Sequence, residues 1–413
     1  MRSGKDNKTR AEQTVSILRK YEENRDRSLN LVASENALSP LVREALASDL
    51  AGRYSSEFYG GTGTTRKLIE QAEDFAKELF NCDYACVAPI SGHLCDLAAL
   101  NSLTREGDTI SLVSSDHGGY PFDIESFFRK REFLPFDSVE WTLDYSQLDS
   151  FFSENNPDLT ILGASAILYP YSLNDVLKHV DETNQVVYDG SHVLGLIAGQ
   201  QFQDPFREGV GVLFGSTHKS FPGPQGGIVL GTDKETYEKI VHQYSVQTSE
   251  HPFGQHKGTI LVDNVHSHRI AALSLAILEM LEFGTEYAKQ VVQNSKALGQ
   301  ALIDRGYPIK TNRSNNVSES HQILMKINGD DGLRLKRHLE TCGINIDAFI
   351  RIGTAEVTRR GFKERDMETI ADLIHRGMDG KEDASTIKAD VTDLCSTRDG
   401  LDYCFNDIDE ALR

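Results

Sequence analysis

The sequence predicts an α/β protein, with a large domain on a mostly parallel sheet flanked by helices and a smaller α+β domain after it. Three observations predict this. The chain has 413 residues, beyond the size at which one hydrophobic core stops growing, so two domains are expected. Between Leu29 and about Arg269, short β-branched apolar runs alternate with amphipathic stretches. That is the pattern of strands buried on both faces and joined by crossover helices. Polar and titratable residues gather at the carboxyl ends of those runs, where open α/β sheets place ligands.

Along the chain, helical spacing of Val15, Ile17, Leu18 and Tyr21 predicts an N-terminal arm helix within residues 1–28. The large domain is expected over 29–268. Its strand candidates are Ala85–Ile90, Thr109–Ser114, Leu159–Ser165, Gln185–Ser191, Val210–Ser216 and Gly226–Gly231. The smaller domain, 269–413, is expected to begin with two helices, Ser267–Phe283 and Glu286–Arg305. Strand candidates "HQILMKI" and "GINIDAFIRIG" follow, then helices around Lys363–Met378. Apolar residues in the tail after Gly380 (Leu394, Leu401, Tyr403, Phe405) predict that it docks on the body of the protein.

Composition narrows the function. With 39% hydrophobic and 25% charged residues, the chain reads as globular. A formal charge of -19, from 43 Lys+Arg against 62 Asp+Glu, argues against nucleic acid or anionic membranes as partners. Six scattered cysteines without CxxC or zinc spacing predict reduced thiols, no metal site and a cytoplasmic setting. The charged N-terminus lacks an apolar core, so no secretory signal is expected, and the segment Ile270–Phe283 is too short and too polar to span a membrane.

Chemistry concentrates at three strand ends. Ser91, Gly92 and His93 precede an apolar helix and present backbone N–H groups at its N-terminus, where a phosphate is favoured. Asp189 closes the strand "VVYD", placed to pair with a protonated ring nitrogen. Lys219 follows the strand ending at Ser216, inside "GSTHKSFPGPQGG", and is suited to form an imine with an aldehyde. Taken singly, each has an ordinary structural explanation: Ser91 and Asp189 as helix caps, Lys219 as a solvated surface residue. Together, a phosphate, an aldehyde and a pyridinium nitrogen describe pyridoxal 5'-phosphate, covalent on Lys219.

The motifs "LNLVASENALSP", "FYGG", "SGH", "DHGG", "DGSHVLGLIAG", "STHKSFPGPQGG" and "IRIGTAEVTRRGFKE" resemble, in order, those of serine hydroxymethyltransferases over nearly the whole chain. The resemblance implies the fold type I architecture of pyridoxal-phosphate enzymes, with a seven-stranded sheet, and a homodimer with active sites at the interface. It assigns His117 to stack on the cofactor ring, and His192 and Ser165 to its phenolic oxygen side. Ser91, Gly92, His93 and Ser216 would hold the phosphate, with His218 beside it or at the ring. Arg351, helped by Ser34, would bind the substrate carboxylate in a bidentate fork. Tyr54 and Tyr59 match tyrosines donated across the dimer interface, and Glu57 or His117 would exchange a proton with the β-hydroxyl. His192 also has a plain reading as a satisfied core histidine, and His93 replaces a serine usual in the family.

Three departures bear on the reaction. The segment "YSSEFYGG" is several residues shorter than its family counterpart, the loop before Arg351 has nearly vanished, and Pro222 and Gln225 replace two family arginines. All three count against tetrahydrofolate as a reactant. The segment Ser249–Asn264 is longer than its family counterpart and richer in His and Lys. The leading expectation is an aldolase or transaldolase acting on the Cα–Cβ bond of a β-hydroxy-α-amino acid, with a small amino acid and an aldehyde as its partners. The alternatives are a folate-dependent serine hydroxymethyltransferase and a cofactor-binding but silent homologue. The presence of Lys219, Asp189 and Arg351 together counts against the silent reading.

Overall fold

Seven strands form the central sheet of the computed structural model: β1 (Tyr84–Cys86), β2 (Thr109–Leu112), β3 (Lys130–Phe133), β4 (Leu159–Leu162), β5 (Gln185–Asp189), β6 (Val212–Ser216) and β7 (Gly227–Gly231). Their spatial order is β1-β7-β6-β5-β4-β2-β3. The run from β6 to β3 is parallel, and β7 is antiparallel to both its neighbours. The structure describes residues 4–56, 59–181, 183–244, 260–327, 329–398, 400–406 and 408.

Period-two alternation sends side chains of one strand into two cores. Tyr188, Leu213, Ile228 and Leu230 join the core on one face. Val187, Val212, Phe214 and Val229 join the core on the other. Strands buried on both faces have no polar stripe, which is why their apolar runs stood out in the sequence. β3 did not stand out: it is an edge strand, "KREF", with exposed ends, and a half-solvated edge carries charges that a central strand excludes.

The arm forms one helix, Gly4–Asp26, longer than its apolar spacing implied. The two helices expected around Gly284 are a single one, Ser267–Asp304, because an isolated glycine costs a helix only about 1 kcal/mol and packing holds it. The expected boundary at 268/269 falls at the start of this helix. Its residues Ile270 to Val291 pack in the sheet's core, while Leu298, Ala301 and Leu302 pack in a third core with Ile323, Ile344, Ile352 and Ile370. Leu29 and Leu31 also belong to that third core, and Leu29–Asn30 pairs in parallel with Ile344–Asn345.

The candidate "GINIDAFIRIG" is broken into two strands, Ile344–Asn345 and Arg351–Gly353. Asp347 causes the break. Its Oδ1 accepts from the backbone N–H of Phe349 (3.1 Å) and of Arg351 (3.0 Å), a local side-chain bond that competes with a strand ladder. Arg351–Gly353 pairs antiparallel with Gln322–Leu324. The tail docks: after helix Ala384–Ser396, the Tyr403 carbonyl accepts from buried Arg359 at 2.6 Å. All six cysteines are free, and no described helix is long and apolar enough to cross a membrane.

Candidate active site

β5 and β6 lie side by side in parallel, with Asp189 in register with Phe214, so their carboxyl ends open on one edge of the sheet. Ser91 caps the helix Gly92–Leu103, its Oγ accepting from Leu94 N–H at 3.2 Å. That helix start meets the end of β6 so closely that a Cβ on Gly92 would fall 2.2 Å from Ser216 Oγ. Ser191 Oγ accepts from Ser216 N–H at 3.0 Å and lies 3.3 Å from Ser216 Oγ. Three hydroxyls therefore converge on one helix N-terminus, the donor set that an anion takes. Ser191 was missed in the sequence, although "DGSH" carries it two residues past Asp189.

The lysine frame is clamped from several sides. Thr217 Oγ1 donates to Pro224 O (2.7 Å), and Gly223 N–H donates to Thr217 O (2.9 Å). Asn36 Nδ2 donates to Lys219 O (2.9 Å), and the Tyr287 hydroxyl donates to Ser220 O (2.8 Å). Gly195 lies against this frame, where a Cβ would sit 2.3 Å from Ser220 O. The Lys219 side chain cannot follow its solvated preference, and burial lowers its pKa, reinforced by the charge of Arg351 and opposed by Asp189 and Asp96. A lysine held this way presents a free amine more readily than a surface lysine.

Asp189 is oriented by Ser191 N–H, which donates to Oδ1 at 2.9 Å. Asp96 is a second acid here, 3% exposed within an otherwise apolar helix, its carboxyl pushed well above the usual range by burial and then by the charge of Asp189. An acid inside "LCDLAAL" was the available signal, and it went unread.

Arg351 lies within electrostatic reach of Lys219. Its Nε donates to Asp347 Oδ2 at 2.9 Å, and its Nη1 donates to the Ser165 carbonyl. Ile350, just before it, is buried with φ of 52°, a left-handed conformation costly for a β-branched residue. Ser165 thus enters the network through its carbonyl, which also accepts from Gln322 Nε2 (3.2 Å). Gln322 reaches His192 Nδ1 at 2.9 Å, and His192 stacks on His321 with centroids 6.0 Å apart and planes 11° apart. Burial pushes His192 well below its usual range and His321 down to about 3. Gln322 and His321 were read only as the start of a strand.

The remaining candidates are placed as follows. His117 stacks on Phe136 (4.5 Å, 12°), with Trp141 edge-on at 6.5 Å. His218 lies beside Lys219 with an unpartnered, buried Nδ1, and burial lowers its pKa to about 4. The His93 side chain turns to Tyr120, whose hydroxyl is 3.2 Å from Nδ1, and edge-on to Phe122, leaving its backbone at the helix start. Ser34 follows Ala33, whose carbonyl faces His321 Nε2 at 3.0 Å. Tyr54 and Tyr59 are exposed and stacked on each other at 4.4 Å. Glu57 lies outside the described residues, as does 249–259 of the segment 249–264.

These residues fit pyridoxal phosphate: an anion cup at a helix N-terminus, an acid at the neighbouring strand end, a desolvated lysine within electrostatic reach of that acid, and an arginine whose charge also reaches the lysine. The family profile described as serine hydroxymethyltransferase matches residues 8–374. The serine hydroxymethyltransferase of Methanobrevibacter smithii is 36% identical over 407 residues, covering 92% of each chain. That of Methanopyrus kandleri is 37% identical over 407 residues, again covering 92% of each. Among solved structures, the L-threonine transaldolase from Pseudomonas fluorescens in its internal aldimine state matches with a TM-score of 0.89 at 25% identity, covering 99% of this chain and 97% of that one. The chain belongs to the serine hydroxymethyltransferase family, as an enzyme that carries pyridoxal phosphate covalently on a lysine.

Proposed function

We propose that this enzyme is an aldolase or transaldolase of β-hydroxy-α-amino acids, exchanging an aldehyde on a glycine unit drawn from glycine, serine or threonine. The observation that carries this reading is the turn from Asp347 to Arg351. It runs directly into the carboxylate-binding strand and is closed by Asp347, where the family has a longer loop that walls the folate pterin. The likeness to a threonine transaldolase supports the same reading.

The bound cofactor supplies an electron sink for the pair of electrons left at Cα when a bond there breaks. Lys219 carries the cofactor and, because burial favours its neutral amine, takes and returns protons at Nζ. Asp189 holds positive charge at the ring nitrogen. Ser91, Ser191 and Ser216 bind the phosphate. Arg351 binds the substrate carboxylate, its plane set by Asp347, and so fixes which bond at Cα faces the ring. His117, backed by Phe136, holds or accepts the β-hydroxyl proton.

A folate-dependent serine hydroxymethyltransferase is the second reading, favoured by the archaeal relatives at 36–37% identity. Cleavage of serine and threonine, measured with and without tetrahydrofolate and with an added aldehyde, separates the two. Aldehyde exchange without folate is expected, and strict folate dependence overturns the leading reading. We also propose a homodimer: Val15, Leu18 and Tyr21 lie exposed on the arm helix, and Tyr54 and Tyr59 are exposed on the loop that reaches a neighbouring site in this family.

A further inference from the structure

We propose that Gln322 is a positioning residue that decides which nitrogen of His192 carries the proton, leaving Nε2–H as the donor that faces the cofactor's site. The inference rests on the reading above only for the cofactor's location. The proton assignment follows from the protein alone.

A glutamine amide has one accepting oxygen and two N–H donors. The Ile167 backbone N–H can only donate, and it lies 3.0 Å from Gln322 Oε1. The Ser165 carbonyl can only accept, and it lies 3.2 Å from Gln322 Nε2. These two backbone groups fix the orientation of the amide without reference to any histidine. The second N–H of Gln322 then points at His192 Nδ1, 2.9 Å away. Nδ1 therefore accepts, and in a neutral imidazole the proton sits on Nε2.

His321 closes the arrangement from the other side. Its Nε2 donates to Ala33 O at 3.0 Å, so the 3.4 Å separation from Gln322 Nε2 lies between two donors and is no bond. Its own Nδ1 is buried without a partner. The two rings stack, so His192 has little freedom to rotate. Both are deeply buried beside Lys219 and Arg351, whose charges oppose a second proton. Among the described residues no protein group bonds His192 Nε2, which leaves that N–H for a ligand oxygen.

The arrangement has a chemical consequence. If His192 reaches the cofactor's phenolic oxygen, as the family resemblance implies, an Nε2–H would stabilise negative charge there, whereas the other tautomer would set a lone pair against it. The Ser165 carbonyl serves both Gln322 and Arg351, and these two side chains stand on paired strands, so the carboxylate fork and the tautomer device share one anchor.

The test is ¹⁵N NMR of the ¹⁵N-histidine-labelled holoenzyme, with His192→Asn identifying the signal. A bare Nδ1 and a protonated Nε2 are expected in the wild type. Glu at 322 keeps an oxygen for Ile167 N–H but has no hydrogen for His192, so Gln322→Glu is expected to move the proton to Nδ1. It should also shift the absorption maximum of the bound cofactor and lower kcat about 10- to 100-fold, with the substrate KM less affected. A wild-type His192 protonated on Nδ1 overturns the proposal even if no variant folds. So does a Gln322→Glu enzyme with an unchanged His192 signal. Strict folate dependence would sink the transaldolase reading and leave this measurement standing.

Discussion

The two walls of the site are built differently. The wall proposed for the cofactor is a property of the sheet: Ser216, Lys219 and Asp189 lie on or just after adjacent parallel strands, and the start of helix Gly92–Leu103 packs tightly against Ser216 and Ser191. The wall proposed for the substrate carboxylate is a single turn, Asp347 to Arg351, held by one aspartate and one strained isoleucine and carried on a two-stranded antiparallel sheet whose strands are far apart in the chain. On the proposed reading, the groups for the cofactor sit where sheet topology fixes them, and the group for the substrate sits on a turn that a few residues can reshape.

The sharpest way to break this comparison is at Lys219. Lys219→Ala is expected to lower kcat by about 10⁴-fold, on the scale of losing both an acid–base and a covalent group. Borohydride reduction followed by peptide mass spectrometry should find the cofactor on Lys219 in the wild type and on no lysine in the variant. Cofactor retained on another lysine would show that the frame is not the anchor.

Arg351→Lys tests the opposite wall. A bidentate charged pair replaced by a point charge costs about 1.5–3 kcal/mol, so the amino-acid KM should rise about 10- to 100-fold while the cofactor stays bound. Steady-state kinetics and the absorption spectrum read the two effects separately. Loss of cofactor in this variant would mean that the walls are not independent.

Gly92→Ala should weaken cofactor binding about 10-fold, because the new Cβ meets Ser216 Oγ at 2.2 Å and overpacking costs about 1–3 kcal/mol. Equilibrium dialysis measures it, and unchanged affinity would remove the cup from the argument.

The smallest effect is a pH slope. His218 and His321 have folded pKa values lowered to about 4 and about 3, below the unfolded value of about 6.5. The folded state therefore binds fewer protons than the unfolded one below pH 6.5. Stability is full above that pH and falls as pH drops toward 4. Urea melts between pH 7 and 4 should show the decline, shallower in His321→Leu. A flat profile would contradict neutral buried histidines.

The strands that end at Asp189 and Ser216 were legible in the sequence because apolar strands within a buried sheet stand out from their surroundings. Lys219, Asp189 and Ser91 carry little signal singly and were read together, from their shared place at the ends of neighbouring strands. Ser191, Gln322 and His321 were not, because their partners lie 25, 130 and 288 residues away in the chain and no local pattern announces them. Strand β3 escaped because edges are polar, and the break at Asp347 escaped because an aspartate bonding its own backbone looks like any strand residue until the turn is seen. The long helix was expected as two, Ser267–Phe283 and Glu286–Arg305, and packing carries it unbroken through Gly284.

That helix, Ser267–Asp304, has a mechanical consequence. At 1.5 Å per residue it is about 57 Å long, with its first half in the core under the lysine and its last turns in the core under Arg351. It acts as a splint between the two walls. Large hinge strokes between the two cores would have to bend a continuous rod.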